Sequence, residues 1–217
     1  MLLYEVVVNY WVALQGFSLG ATMIIPIGAQ NAYVLNQGIK RHHHLTTATV
    51  CSFLDLFFMS LGIFGAGAIL SQHENVLIGI TIAGIAFLSV YGFQSLKRAL
   101  RFEYANDSNA SSISKSSRIA VILGACAVTV FNPHLYLDTV VILGSLGGQF
   151  HGTDRLAFAV GTISASFVWF FTISIGAAKL SHILSKPKAQ QIIDMLISAM
   201  MFVLAFTLTK QLYLNHF

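Results

Sequence analysis

Two acidic residues, Asp55 and Asp138, lie inside long apolar runs of the sequence. An Asp at the centre of a membrane helix costs roughly 2.5 to 3.5 kcal/mol on insertion scales, so such a residue is a candidate functional group. Acids at that depth bind a substrate or inorganic cation, or carry a proton. Asp55 has no basic residue in its own run, so we expect it to face the protein interior or to be protonated. Its structural alternative is a hydrogen bond between helices.

Polar residues near the two acids extend the candidate site. His134 precedes Asp138 by four positions, so on a helix the two would share a face, where a carboxylate and an imidazole can bind a cation or pass a proton. The histidine could instead hydrogen-bond a neighbouring helix. Asn31 and Asn132 offer carboxamide oxygens to a guanidinium or ammonium group, but they serve equally well as caps for freed backbone groups. Two weaker candidates are Gln30 and Tyr136.

The composition indicates which elements must position these residues. Of 217 residues, 56% are hydrophobic and only 9% are charged, and the mean hydropathy is +0.74. Globular domains carry about 25% charged residues, so most of this chain is expected to lie in lipid. No run alternates with the period of a barrel strand, which predicts an all-α integral membrane protein with about six transmembrane helices in one domain, 1–217. The runs long enough to cross about 30 Å of hydrocarbon are 10–36, 45–70, 76–96, 119–147, 156–180 and 190–212.

The charged residues predict the topology. A central polar loop, 96–118, separates two three-helix halves. The positive-inside rule places the first, third and fifth loops in the cytoplasm, with both termini outside if all six runs span the membrane. If the first run is re-entrant, five spans and a cytoplasmic N-terminus keep the same loop assignment. The net charge of +4 follows from this topology and does not indicate nucleic-acid binding. The first residues lack the pattern of a removable signal peptide. The basic residues of the odd loops are Lys40, Arg41, Lys97, Arg98, Arg101, Lys115, Arg118, Lys179, Lys186 and Lys188.

A weak internal repeat connects the two halves. Pro26 is followed five residues later by Asn31, and Pro133 is followed five residues later by Asp138. Since each half has three predicted crossings, the second half would be inverted relative to the first, as in secondary transporters with broken midplane helices. Proline removes a backbone donor and frees carbonyls that can bind a cation, and Gly28 would loosen the first break further. A tolerated kink is the alternative for either proline alone.

Several motifs in order resemble one family of membrane proteins. The stretch 20–38, the residues 132–138, and the segments 143–148 and 161–166 are similar to the lysine exporter (LysE) superfamily, and especially to its arginine exporter (ArgO) branch. The resemblance covers nearly the whole chain. It implies a bacterial inner-membrane protein that exports basic amino acids, chiefly arginine, with lysine as a second substrate. The family usually has a second proline where this chain has Ala29, so a gentler first break is expected.

Other residues are assigned structural roles. A solvated loop is favoured over a metal site for His42, His43 and His44, and buried free thiols are expected at Cys51 and Cys126. The aromatic residues 169–171 are expected to pack or to face lipid rather than to form a cation-binding wall.

The function expected from these features is export of cationic amino acids by exchange with protons, without a cofactor. The sequence contains no recognisable catalytic triad, carboxylate-pair or phosphate-loop motif, which disfavours an enzyme. An inorganic cation or metal-ion exporter is the alternative within transport. A membrane scaffold or enzyme subunit is the alternative outside it. The oligomeric state is open, a homo-oligomer included.

Overall fold

The structure is a computed structural model that describes residues 2–26, 28–65, 74–101, 117–132, 135, 139 and 142–216. Within these ranges the chain is all-helical and contains no strand, which confirms the predicted all-α class. The helices are α1 (Leu2–Ile24), α2 (Ala29–Ile39), α3 (His44–Ile63), α4 (Glu74–Arg101), α5 (Arg118–Val130), α6 (Gly144–Gly147), α7 (Gly152–Lys179), α8 (Ser181–Leu184) and α9 (Pro187–His216).

Several helices have the dimensions of membrane spans. In the described ranges, α3, α7 and residues Pro187–Leu214 of α9 are long and apolar enough to cross a bilayer. The segments Asn9–Ile24 and Ala29–Ile39 together form a fourth if they count as one broken span. Large apolar side chains such as Phe93 and Phe206 point outward, as expected for a surface in contact with lipid.

The first predicted helix is interrupted where proline predicts a break. The amide of Ile25 still donates to the carbonyl of Ala21 at 2.9 Å, but Pro26 has no N–H with which to continue the helix. The chain resumes as α2 at Ala29, and the helix axes on the two sides of the break differ by 81°. The break is therefore sharp even with alanine at position 29.

Two other predicted boundaries need correction. The second run is not one continuous helix over 45–70, because α3 ends at Ile63 and Gly65 has a left-handed φ of +99°. The third continues into the predicted central loop as far as Arg101, because an arginine of its last turns pairs with α9. The fourth run, 119–147, is interrupted near the predicted break, since α5 ends at Val130, shortly before Pro133.

A scaffold forms around α7, which packs along α1 and also contacts α2 and α3. The approach of α1 to α7 is close enough to require glycine: a Cβ at Gly161 would overlap the carbonyl oxygen of Ala13, and one at Gly16 would overlap that of Phe158. Such contacts between small residues are how membrane helices maximise van der Waals packing. The scaffold is therefore held together by direct backbone contact.

A second structural unit is the α4/α9 pair, two helices distant in the sequence, in which α4 packs chiefly against α9. Its inner surface contacts α2 and α5 through apolar side chains. The buried residues of this contact are Ala29, Ala32, Leu88, Val128, Ile197, Met201, Ala205 and Leu208. A cavity lies between the scaffold, which includes the broken α1 and α2, and the α4/α9 pair.

Candidate functional site

The cavity has a volume of about 380 Å³ and lies beside the break between α1 and α2. Small-molecule sites in proteins typically measure about 300 to 1,000 Å³. Its lining is mostly apolar and includes a few polar side chains, as in sites where a few polar groups orient a ligand. The lining residues are Thr22, Met23, Ile24, Pro26, Gly28, Gln30, Asn31, Asp55, Met59, Asn132, Leu135, Thr139, Leu143, Phe170 and Leu204.

Asp55 lines the cavity from α3 and is only 2% exposed. The hydroxyl of Ser166 donates to its Oδ2 at 2.7 Å, and the side-chain amide of Gln30 donates to its Oδ1 at 3.2 Å. Among the described residues, no Lys, Arg or His forms an ion pair with it. The expectation that Asp55 faces the interior is confirmed, and its carboxyl group is held by neutral donors alone within the described chain.

Asn31, in the first turn of α2, is bonded across the helix break. Its Nδ2 donates to the carbonyls of Ile24 at 2.7 Å and Pro26 at 2.9 Å, and its Oδ1 accepts from the indole N–H of Trp169 at 3.2 Å. Of the two roles open from the sequence, the structure thus places Asn31 as a cap for backbone freed at the break. The interpretation of Trp169 as a purely packing or lipid-facing residue was incomplete, because its N–H has a specific acceptor.

Gly28 is the N-cap of α2, with φ of −117° and ψ of −172°. This is extended backbone that any residue adopts. A Cβ at this position would meet nothing within 4 Å. The conformation of the break in this structure is therefore set by Pro26 and Asn31 and makes no demand for glycine.

The structure brings together most of the site residues predicted from the sequence. Gln30, Asn31, Asp55 and Asn132 all line the one cavity, with the predicted break residues Pro26 and Gly28. Three predicted residues lie outside the described residues, together with the weaker candidate Tyr136: Pro133, His134 and Asp138.

Sequence reasoning missed the contribution of α7. Thr162, Ser166, Phe170 and Ser174 recur every four residues and are all buried. This spacing places the three small polar residues, Thr162, Ser166 and Ser174, on one helical face together with Phe170, which is a signal for an inward polar stripe. Ser166 is the member of the stripe that reaches Asp55.

The cysteines and histidines outside the cavity occupy other surroundings. Both cysteines are free thiols, as predicted, but only Cys51 is buried, whereas Cys126 is half-buried. His44 places Nδ1 at 2.8 Å from the hydroxyl oxygen of Ser174, and the rings of His42 and His43 contact each other edge to face. Across the described residues, no group of three or more His, Cys, Asp or Glu side chains could hold a metal ion.

Taken together, apolar helices, a broken helix and a buried carboxylate in an internal cavity define a membrane transporter. The family described as "LysE type translocator" matches residues 21–212, and the chain belongs to this family. Its members are translocators, so the protein is a transporter and not an enzyme.

Known relatives agree with this assignment over most of the chain. The chain is 47% identical over 199 residues to the "Arginine exporter protein ArgO" of Salmonella typhimurium, a match that covers 91% of this chain and 92% of the relative. Proteins of the same name from Salmonella newport and Salmonella enteritidis match with the same identity and coverage. No solved structure matches the chain.

Proposed function

We propose that this protein exports cationic amino acids, arginine first and lysine second, across the bacterial inner membrane as a multi-pass carrier. The observation that carries the proposal is the buried carboxyl group of Asp55 in the lining of a substrate-sized cavity. The relatives named arginine exporters supply the choice of substrate.

The polar and apolar lining residues suit the two parts of such a substrate. A guanidinium or ammonium group placed beside Asp55 would supply the positive charge that its described neighbours lack, and the amide oxygen of Gln30 could accept a further hydrogen bond. Met59 and Leu143 are buried in the apolar wall and offer a surface for the aliphatic stem. The cavity is therefore matched to a side chain that is apolar along its length and charged at its tip.

Export of a cation needs an energy source. Moving one positive charge outward against an inside-negative potential costs roughly 2.3 kcal/mol per 100 mV. An inward proton cancels this charge movement, and a carboxylate can hold either a proton or the substrate cation. We assign the exchange to Asp138, with His134 four positions before it in the sequence, and to Asp55 as the second acid. The stoichiometry proposed is one proton for one arginine.

Alternating access by two inverted halves fits how the elements pack. In the first half, the broken α1 and α2 pack against α7 of the second half, while in the second half α5 and α6 pack against α3 of the first. The third long helices of the halves, α4 and α9, pack against each other. This reciprocal pairing supports a six-helix inverted repeat. Rocking of the halves would then open the cavity to each side in turn.

The topology is tested by labelling single cysteines introduced into the loops. We expect residues 97–118 to react from the cytoplasm and the turn at 148–154 to react from outside. Reversed labelling would reject the proposed orientation.

The function is tested in proteoliposomes loaded with arginine, lysine or a divalent metal ion. We expect efflux of arginine, weaker efflux of lysine and no efflux of metal. Efflux of metal without amino acid would replace the proposal with a metal exporter, and efflux of neither would reject transport of both classes. A pH gradient and a membrane potential are then imposed separately. Efflux that follows the potential but ignores the pH gradient would reject proton exchange.

A further inference from the structure

The orientation of the Asn31 side chain is determined by the chemistry of its three partners. Two of them, the carbonyls of Ile24 and Pro26, can only accept hydrogen bonds, and the third, the indole of Trp169, can only donate one. The amide nitrogen must therefore face the carbonyls and the oxygen must face Trp169. No flipped assignment satisfies any of these contacts.

These bonds connect the two sides of the helix break. Ile24 and Pro26 stand at the end of α1, where the last carbonyls of a helix have no partner within the helix. Asn31 belongs to the first turn of α2 and is 5% exposed, so an unpaired amide there would be costly. Asn31 thus holds α1 and α2 at their observed angle, and the bond from Trp169 holds Asn31.

The same face of α7 also holds the candidate cation-binding group. Ser166 lies one turn before Trp169 and donates to Asp55, and Gln30, which donates to the other oxygen of Asp55, directly precedes Asn31. Two adjacent residues of α2 are therefore connected to α7: Asn31 directly to Trp169, and Gln30 to Ser166 through Asp55. These contacts link the break to the carboxyl group of Asp55.

We propose that Trp169 is a positioning residue for transport: acting through Asn31, it sets the geometry of the α1/α2 break and hence the position of the Asp55 carboxyl group in the cavity. The inference rests on the proposed function only in taking Asp55 to bind the transported cation. Trp169 itself does not line the cavity, whereas Asn31 does.

The test is a double-mutant cycle with Trp169→Phe and Asn31→Leu. Phenylalanine keeps most of the aromatic body and removes the N–H, and leucine keeps the approximate size of asparagine and removes all three bonds. We expect Trp169→Phe to lower arginine export about tenfold, the scale of one buried hydrogen bond whose loss leaves its acceptor unpaired. Asn31→Leu should lower export at least as much. The double variant should be no worse than Asn31→Leu alone, because Trp169 acts only through Asn31.

A matched control is present in the chain, which has two tryptophans. Trp11 is 62% exposed on α1, and Trp11→Phe should leave export unchanged. Normal export by Trp169→Phe would overturn the inference, and so would losses in the double variant that equal the product of the single losses. A general packing role for Trp169 predicts that second result.

A second measurement separates this inference from the proposed function. In the Trp11→Phe background, Trp169 is the only tryptophan, so its fluorescence emission reports its own surroundings without any substrate. We expect Asn31→Leu to shift this emission and the control Asp154→Asn to leave it unchanged. An unchanged emission in Asn31→Leu would reject the contact, whether or not the protein exports arginine. A shifted emission in a protein that exports no arginine would instead reject the proposed substrate and keep the coupling.

Discussion

The cavity and the α4/α9 pair each contain a buried acid, and the two acids have very different surroundings. Asp55 in the cavity receives hydrogen bonds from Ser166 and Gln30, which are both neutral. Asp194 on α9, 4% exposed, forms an ion pair with Arg98 of α4, whose Nη2 lies 3.0 Å from Oδ1 and whose Nε lies 3.2 Å from Oδ2. Burial alone does not separate the acid proposed to bind the cation from a structural one. The charge of the partner does, because a paired carboxylate is already neutralised.

The two regions also differ in how their helices approach one another. In the scaffold, α1 and α7 are in backbone contact, and a Cβ at Gly161 has no room. In the α4/α9 pair, a Cβ at Gly92 would lie 3.0 Å from the Cβ of Met201, so its nearest contact is with a side-chain atom and not with the backbone. The scaffold is thus a closely fitted unit, whereas α4 and α9 are joined by side-chain contacts that include an ion pair. Of the residues that line the cavity, the α4/α9 pair supplies only Leu204 among the described positions.

The largest expected effect is on transport, from Asp55→Asn. We expect arginine export to fall about 100-fold or more, because loss of one partner of a buried charge pair costs about 2 to 5 kcal/mol. The protein should still insert and fold, since asparagine keeps the size and the neighbours of Asp55 are neutral. Efflux from proteoliposomes and thermal unfolding are measured together. Asp154→Asn, an acid in the first turn of α7, is the control, and normal export by Asp55→Asn would remove the contrast between the two acids.

The next effect is on the scaffold, from Gly161→Ala. The added methyl group would overlap the carbonyl oxygen of Ala13, so α1 and α7 must separate. We expect a loss of about 3 kcal/mol in unfolding free energy, at the upper end for overpacking. Gly92→Ala in the α4/α9 pair should cost about 1 kcal/mol, at the lower end for overpacking, because its nearest contact would be the Cβ of Met201 at 3.0 Å and not an overlapping backbone oxygen. Equal losses for the two substitutions, measured by thermal unfolding in detergent, would contradict the proposed difference in packing.

A smaller loss of stability is expected from Asp194→Asn. It leaves the Arg98 guanidinium without its partner, and since that side chain is 33% exposed we expect about 2 kcal/mol rather than the 3 to 5 kcal/mol of a fully buried pair. Replacing both residues with apolar ones, Arg98→Met with Asp194→Leu, should recover most of the loss. Export per folded molecule should stay within about threefold of the wild type. A 100-fold loss of export with normal stability would show that Asp194 acts in transport like Asp55.

The smallest effect is expected from Gly28→Ala. Position 28 has extended backbone and open space around it, so stability and export should stay within about twofold of the wild type. Efflux kinetics measure this directly. A large loss of export with unchanged stability would indicate that transport passes through a second conformation in which residue 28 needs the freedom of glycine.

The sequence by itself determined the features that depend on local composition and spacing. Apolar runs predicted helices, proline predicted the break after α1, and the energetic cost of a charge in lipid singled out Asp55. The sequence did not predict features that depend on contacts between distant segments. Helix ends at Ile63 and Arg101 were missed because a hydrogen bond from Arg155 to the carbonyl of Ile63, and the ion pair of α4 with α9, lie between distant parts of the chain.

Only the tertiary structure decided the partners of the polar groups. Asn31 could bind substrate or cap backbone, and the choice depends on Trp169, 138 positions away. Asp194 becomes structural through Arg98, 96 positions away. Hydropathy and periodicity describe one helix at a time, whereas a buried polar group is defined by whichever helix packs against it. The sequence therefore predicted the burial of Asp55, and the packing of the helices decided which buried acids are neutralised.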